Sequence, residues 1–263
     1  MSNFRSGDAQ LVYEITGSGP DVVLLHPFPL HHQFWDGVLD QLATRYRVFL
    51  PDLRAHGDSE AGDGPVTMQK LSDDLDRLCR EFDVTRAIFV GVSIGGYALF
   101  EFWRQHRERV RALVLANTRA GAETAEGRSS RLAIADKVLA EGTFGFVNEL
   151  LAKLVSPATL TNRPDIVDVA RAMAKKMSPA DVAAVQRGMA ERPDSIPTLA
   201  TINVPTLVIA GEDDSVPLAE SELMHQHIPG SQLRVIAKAG HYAALERPAE
   251  FGRLLRTFCD ENC

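Results

Sequence analysis

One stretch constrains this chain more than any other: Ala87-Ile88-Phe89-Val90-Gly91-Val92-Ser93-Ile94-Gly95-Gly96. An apolar run feeds directly into Gly-x-Ser-x-Gly, and a helical pattern begins at once at Ile94 and runs to His106. To hold a hydroxyl out above a sheet, the chain must turn from strand to helix almost at a point. The serine then sits in a strained backbone conformation, and the residues two positions either side must be very small. Gly91 and Gly95 meet that demand, and Gly96 permits close packing of the helix. Ser93 also stands at a helix N-terminus, where N–H groups and the positive dipole end favour a developing anion. Gly and Ser are common, so the five-residue motif alone is weak. A buried strand before it and a helix after it set it apart from an ordinary glycine-rich turn.

Similar apolar runs recur at Val22–Leu25, Arg47–Leu50, Leu113–Ala116, Thr206–Ala210 and Leu233–Ile236. None alternates cleanly between polar and apolar, the pattern of strands covered on both faces in a parallel sheet. Leu11, Tyr13 and Ile15 do alternate, and Gly17-Ser18-Gly19-Pro20 follows, which reads as a half-exposed edge strand ending in a turn. Helical spacing fills the gaps: Met68, Leu71, Leu75, Leu78, Cys79 and Phe82 form one stripe, and Arg247–Asp260 closes the chain with Pro248 in its first turn. Strand and helix in alternation specify an α/β fold with a mostly parallel central sheet flanked by helices.

Residues 120–199 break the rhythm. They hold helical patterns at Arg131–Glu141, Phe144–Leu154, Pro164–Met177 and Ser178–Arg192, and no strand. The last begins with Ser178 as N-cap, Pro179 in the first helical position and Asp181 in the first turn. One crossover rarely needs so many residues. The expected organisation is a core of residues 1–119 and 200–263 carrying a helical cap, or lid, at 120–199. Phe144, Phe146, Met173, Met177 and Met189 are candidates to line a pocket beneath it, although at helical spacing such residues more often pack a core.

A serine hydroxyl needs a base, and the base needs an orienting acid. After the strand at Thr206–Ala210 comes Gly211-Glu212-Asp213-Asp214, with three carboxylates to choose from. The earlier strand ends at Asn117, which carries no charge and cannot serve as that acid. After the strand at Leu233–Ile236 comes Ala239-Gly240-His241, placed to reach back over the sheet. Of the eight histidines, His225 and His227 read as surface residues and His106 as a helix C-terminal cation. His31 and His32 have no evident role. A tetrahedral intermediate needs two N–H donors. One is the amide of Ile94. The other is expected in His26-Pro27-Phe28-Pro29, where the flanking prolines have no N–H and leave Phe28.

Composition narrows the partners. Lys and Arg number 28 against 35 Asp and Glu, a net charge of −7, which opposes nucleic-acid backbones and anionic lipid. No apolar run approaches the ~20 residues of a membrane span. Residues 1–19 are polar and lack a secretory core, so the expected compartment is the cytoplasm. The three cysteines, Cys79, Cys259 and Cys263, match no metal or redox spacing and are expected to behave as small buried hydrophobes. No motif for a metal, flavin or nucleotide is present. Oligomeric state is not legible.

On these motifs the chain resembles the α/β-hydrolase superfamily, in particular its small capped esterases, enol-lactonases and cofactor-free haloperoxidase-like enzymes. The family's early His-Gly-x-Pro loop appears as His26-Pro27-Phe28-Pro29 with Trp35 following, and the x position implies Phe28 as an oxyanion donor. Its Asp-x-Arg-Gly-His-Gly-x-Ser motif appears as Asp52-Leu53-Arg54-Ala55-His56-Gly57-Asp58-Ser59, structural in the family, so His56 is given no catalytic role. Its Gly-x-x-Asp-x-x-x-Pro pattern points to Asp214 as the acid, with Asp213 the competitor and Pro217 one residue early. The resemblance implies a triad of Ser93, Asp214 and His241 with Phe28 and Ile94 as oxyanion donors. It implies hydrolysis of a small ester or lactone by water with no cofactor. Carbon–carbon hydrolases and perhydrolases share the triad and stay open, as does a non-turnover receptor on the same scaffold. Dehalogenases and epoxide hydrolases of the superfamily carry Asp where Ser93 stands.

Overall fold

A computed structural model describes residues 2–263. Its strands are β1 (Ser2–Ser6), β2 (Ala9–Thr16), β3 (Asp21–Leu25), β4 (Arg47–Pro51), β5 (Ala87–Val92), β6 (Val110–Ala116), β7 (Thr206–Gly211) and β8 (Gln232–Ile236). They form one sheet in the order β1-β2-β4-β3-β5-β6-β7-β8. From β4 to β8 every pairing is parallel, while β1 with β2 and β2 with β4 run antiparallel. β5 and β7 are buried along their whole length, as continuous apolar runs require.

Two expectations at the sheet's margins are corrected. The alternating strand at Leu11–Ile15 lies one position in from the edge, because β1 pairs outside it. β1 buries only Phe4 and Ser6 of its five residues, too little apolar pattern to be read from sequence. Leu233–Ile236 lies in β8 and is not buried on both faces. It forms the opposite edge, and Val235 is 42% exposed.

The helices are α1 (Asp36–Leu42), α2 (Met68–Glu81), α3 (Ile94–His106), α4 (Ala125–Glu141), α5 (Phe144–Leu154), α6 (Pro157–Asn162), α7 (Pro164–Ala174), α8 (Pro179–Ala190), α9 (Ile196–Leu199), α10 (Leu218–His227), α11 (Ala243–Glu246) and α12 (Pro248–Asn262). α2 and α3 pack one sheet face through Leu71, Leu75, Leu78, Phe100 and Phe102. α1 and α12 pack the other through Val38, Leu42, Phe251 and Leu255. Thr67 caps α2 by accepting from the Lys70 amide. α4 begins six residues before the expected Arg131, over a small and polar stretch with no apolar period. α6 was not expected, being six residues long with Ser156 as its cap. α7 and α8 each stop short of the expected end, at Ala174 and Ala190.

Every element between β6 and β7 is a helix. α8 opens with the reciprocal Ser178–Asp181 capping box. It is tied to the loop before α2, where the Val66 amide donates to the Ala184 carbonyl at 3.0 Å. Gly188 makes this approach possible, since a Cβ there would lie 1.7 Å from the Val66 carbonyl oxygen. Among the described residues no helix is long and apolar enough to cross a membrane. Cys79 and Cys259 are buried as expected, but Cys263 is exposed on the last residue, where no core remains to cover it.

The segment Asp52–Ser59 is a folded knot of hydrogen bonds. Asp52 Oδ1 accepts from the His32 amide and ring, and Oδ2 accepts from the Asp58 amide. Arg54 is buried and makes a bidentate pair with Asp74 at 2.9 and 2.7 Å. Ala55 occupies the left-handed region at φ 65°, a conformation that costs an L-residue roughly 1–2 kcal/mol. Ala55→Gly should therefore leave stability unchanged or raise it by up to about 1 kcal/mol, against the usual loss for Ala→Gly. Thermal unfolding checks this, and a fall in Tm would show that Ala55 is not strained.

Candidate active site

Ser93 occupies φ 55°, ψ −115° between β5 and α3. Holding a non-glycine residue there costs on the order of 1–3 kcal/mol, so neighbours must over-determine it. They do. The Ser93 amide donates to the Ala116 carbonyl at 3.1 Å, and its carbonyl accepts from Thr118 Oγ1 at 2.8 Å. The glycines are steric necessities: a Cβ at Gly91 would lie 2.5 Å from the Gly95 carbonyl carbon, and one at Gly95 would lie 2.7 Å from the Leu25 carbonyl oxygen. At Gly96 it would strike Thr118, 2.5 Å from Oγ1, so this glycine clears the chain leaving β6.

His241 and Ser93 line one cavity of about 240 Å³, together with Phe28. His241 Nδ1 lies 2.8 Å from Asp214 Oδ1, and both side chains are buried. Asp214 Oδ1 also accepts from the Val216 amide, and Oδ2 accepts from Asn117 Nδ2 at 2.8 Å. Burial pushes the Asp214 carboxyl up, but the His241 partner and these hydrogen bonds outweigh it and hold the carboxyl below its ordinary value. Asp213 is exposed and offers its amide to the Ala239 carbonyl, which leaves Asp214 as the carboxylate at His241.

Phe28 and Ile94 follow β3 and β5 at the same end of the sheet. Among the described residues neither amide donates a hydrogen bond to a side chain or to loop backbone. The Phe28 loop is fixed on two sides. Tyr242, the neighbour of His241, donates its hydroxyl to the Phe28 carbonyl at 3.2 Å, and His32 anchors the following turn on Asp52. Nitrogen and oxygen atoms of His31, His32 and Asp52 gather within 4.8 Å, the donor types of a metal site. Both Asp52 oxygens already accept N–H donors, however, so the cluster serves as the loop's anchor. Burial lowers the pKa of His31 to about 4, which keeps it neutral. His26 and His56 lie buried behind the loop with their pKa values likewise lowered by burial.

Two positioning residues escaped the sequence reading. Asn117, set aside for lacking a charge, braces Asp214 from φ 47° and also reaches the Gly240 carbonyl at 3.3 Å. Glu246 is buried and accepts from the amides of Gly240 and Ser156 and from Thr159 Oγ1. It thus ties the His241 loop to the start of α6. His241 is held on that side too, its amide donating to the Leu154 carbonyl at 2.7 Å. Arg119 and Arg131 line the cavity, with Tyr97, Leu150, Leu154, Gln186 and Met189. Of the apolar residues singled out earlier, only Met189 lines the cavity. Phe144 is 72% exposed, Met173 and Met177 are packed in the core, and Phe146 lies against Phe28. Charged residues on loops and helices read as solvent-facing, so nothing local marked Arg119, in the loop after β6, or Arg131, on α4.

The family model of the alpha/beta hydrolase fold matches residues 20–248. The chain belongs to the α/β-hydrolase family. The solved structure of a thermophilic esterase from Thermogutta terrifontis, with malate bound, superimposes with a TM-score of 0.93 at 36% identity, covering 96% of this chain and 94% of that one. A pimeloyl-[acyl-carrier protein] methyl ester esterase of Aeromonas hydrophila is 29% identical over 92% of this chain and 96% of its own length. A 3-oxoadipate enol-lactonase of Acinetobacter baylyi is 28% identical over 92% of this hydrolase-family chain and 89% of its own.

Two outcomes follow from the bracing. Asp214→Asn should lower kcat far more than Asp213→Asn, and the reverse order would reassign the acid. Glu246→Ala strands two buried amides, each at about 1–3 kcal/mol, and should lower unfolding free energy by about 3 kcal/mol in a denaturant titration. A neutral Glu246→Ala would show that the His241 loop does not depend on it.

Proposed function

We propose that the protein is a serine hydrolase that cleaves a small carboxylic ester or lactone through an acyl-enzyme. The observation that carries the proposal is that one small cavity is lined by both Ser93, on its strained elbow, and His241, whose other ring nitrogen is bound to buried Asp214.

In the proposed reaction His241 takes the Ser93 proton as Oγ attacks the substrate carbonyl. Asp214 holds the imidazole so that Nδ1–H points at the carboxylate and Nε2 is free to accept. The amides of Phe28 and Ile94 receive the oxyanion, and donors of this kind are each worth roughly 3–4 kcal/mol of transition-state stabilisation. His241 then returns its proton to the leaving alcohol, and a water activated by the same nitrogen releases the acid. Helices α4, α5 and α8 act as the cap in this scheme, since Arg131, Leu150, Leu154, Gln186 and Met189 complete the cavity walls. The volume of about 240 Å³ is below the ~300–1,000 Å³ of drug-sized pockets, which favours a small substrate. Esterase and enol-lactonase relatives support the substrate class.

The test is a panel of p-nitrophenyl esters from acetate to decanoate, with wild type and Ser93→Ala in parallel. Wild type should prefer the short chains, and Ser93→Ala should lower kcat by up to about 10⁶-fold. Turnover that survives in Ser93→Ala would refute the serine mechanism.

A further inference from the structure

The cavity beside Ser93 has a charge of its own. Its lining includes Arg119, in the loop after β6, and Arg131, on α4, and among the described residues it includes no carboxylate. The counter-ion lies behind them. Glu123 is buried, and it accepts from Arg119 Nη2 at 2.8 Å, from Arg131 Nε, and from Arg192 Nη1 at 3.3 Å. Three guanidiniums therefore share one carboxylate, with Glu220 within electrostatic reach of Arg119.

The two cavity arginines keep part of their surface open, 29% for the Arg119 side chain and 20% for that of Arg131, whereas Glu123 is 5% and Arg192 3% exposed. The cluster is incompletely paired as well, since Arg119 Nε and Arg192 Nη2 are buried with no hydrogen-bond partner among the described residues. Arg131 spends Nη1 on Gln186 Oε1 and Met189 Sδ, both of α8. Crowding shows in the titration of the group. Burial lowers the Arg192 pKa, with Arg119 and Arg131 adding repulsion, while Glu123 is held below its ordinary value by the arginines against the upward push of burial. Excess positive charge in a low-dielectric wall, with its one direct counter-ion among the described residues, Glu123, outside the cavity lining, attracts an anion.

We propose that Arg119 and Arg131 form a carboxylate-binding subsite, and that the preferred substrate carries a free carboxylate besides the bond that is cleaved, as the half-ester of a short dicarboxylic acid does. The proposal rests on the serine-hydrolase reading for the cleaved bond, but the charge preference belongs to the arginines. Glu123 and Arg192 act as positioning residues, holding the two forks toward the cavity. A cavity this small places any substrate bound at Ser93 in the same space as both guanidiniums.

The experiment compares p-nitrophenyl butyrate with the mono-p-nitrophenyl ester of glutaric acid, which differ chiefly in the terminal carboxylate. Wild type should favour the half-ester in kcat/KM by about tenfold or more, carried in KM, with the preference shrinking as ionic strength rises. Arg131→Gln should lower the ratio of the two kcat/KM values by about tenfold, the size of one charge-assisted hydrogen bond, and Arg131→Lys should keep part of it. Arg119→Gln provides a second variant should Arg131→Gln not fold. A wild type that prefers the neutral ester, or variants that lose both esters equally, would overturn the subsite. If wild type hydrolyses neither ester, the hydrolase reading fails separately. Calorimetric titration with glutarate then decides the subsite: weaker binding in Arg131→Gln supports it, and equal or absent binding refutes it.

Discussion

The backbone of Ser93 is the point on which the rest of this structure depends. A residue at φ 55° between a strand and a helix has no local reason to be there, and its cost must be offset by contacts that no other conformation makes. Here the offset comes from β6. The Ser93 amide and carbonyl are bound by Ala116 and Thr118, at the carboxyl end of the neighbouring strand. The elbow therefore requires the parallel register of β5 on β6, and through it the buried sheet as a whole. The three glycines are the steric counterpart, each facing atoms that would forbid a methyl group.

The other groups of the site sit on loops, which are ordinarily the mobile parts of a fold. These loops are cross-tied to one another. Tyr242 binds the Phe28 carbonyl, Asn117 binds Asp214 and the Gly240 carbonyl, and Glu246 joins Gly240 to Ser156. The Tyr242 and Asn117 ties run between the ends of different strands, and the Glu246 tie joins the segment after β8 to the start of α6, so displacement of one loop strains its neighbours. The donors of this buried network are paired, although Asn117 Oδ1 lacks a partner among the described residues, and loss of an acceptor would leave unpaired donors in a low-dielectric interior. Proposed chemistry that depends on sub-ångström placement of donors is well served by such bracing.

What was legible in the sequence follows the same physics. Local steric and periodic demands leave local marks, so the elbow, α3, α5 and the capped start of α8 were read close to their true bounds. The core strands were read because burial on both faces writes an unbroken apolar run. β1 and α6 were not, since short elements held by tertiary contacts carry no period of their own. The roles of Asn117, Glu246, Arg119 and Arg131 were invisible for another reason. Asn117, Glu246 and Arg131 depend on partners distant along the chain, Arg119 on a cavity that the fold alone assembles, and a polar residue in isolation reads as solvated. Phe144 failed in the opposite sense, since hydrophobicity alone does not say which face of a helix is covered.

Net charge illustrates how little a global quantity says about a site. The chain carries −7, yet the space beside Ser93 is bordered by two arginines whose carboxylate partner is turned away from it. An acidic exterior repels small anions at long range, with a reach of about 8–10 Å at physiological salt. Inside the cavity that field is screened and the nearby guanidiniums dominate, because Coulomb energies scale inversely with distance and with the local dielectric. On the proposed reading the outer charge slows anion encounter, while the inner charge governs what stays bound. An anionic substrate would be selected at the wall of the cavity, where Arg131 also grips α8 through Gln186 and Met189. Ligand charge and the packing of α4 on α8 thus meet in one side chain.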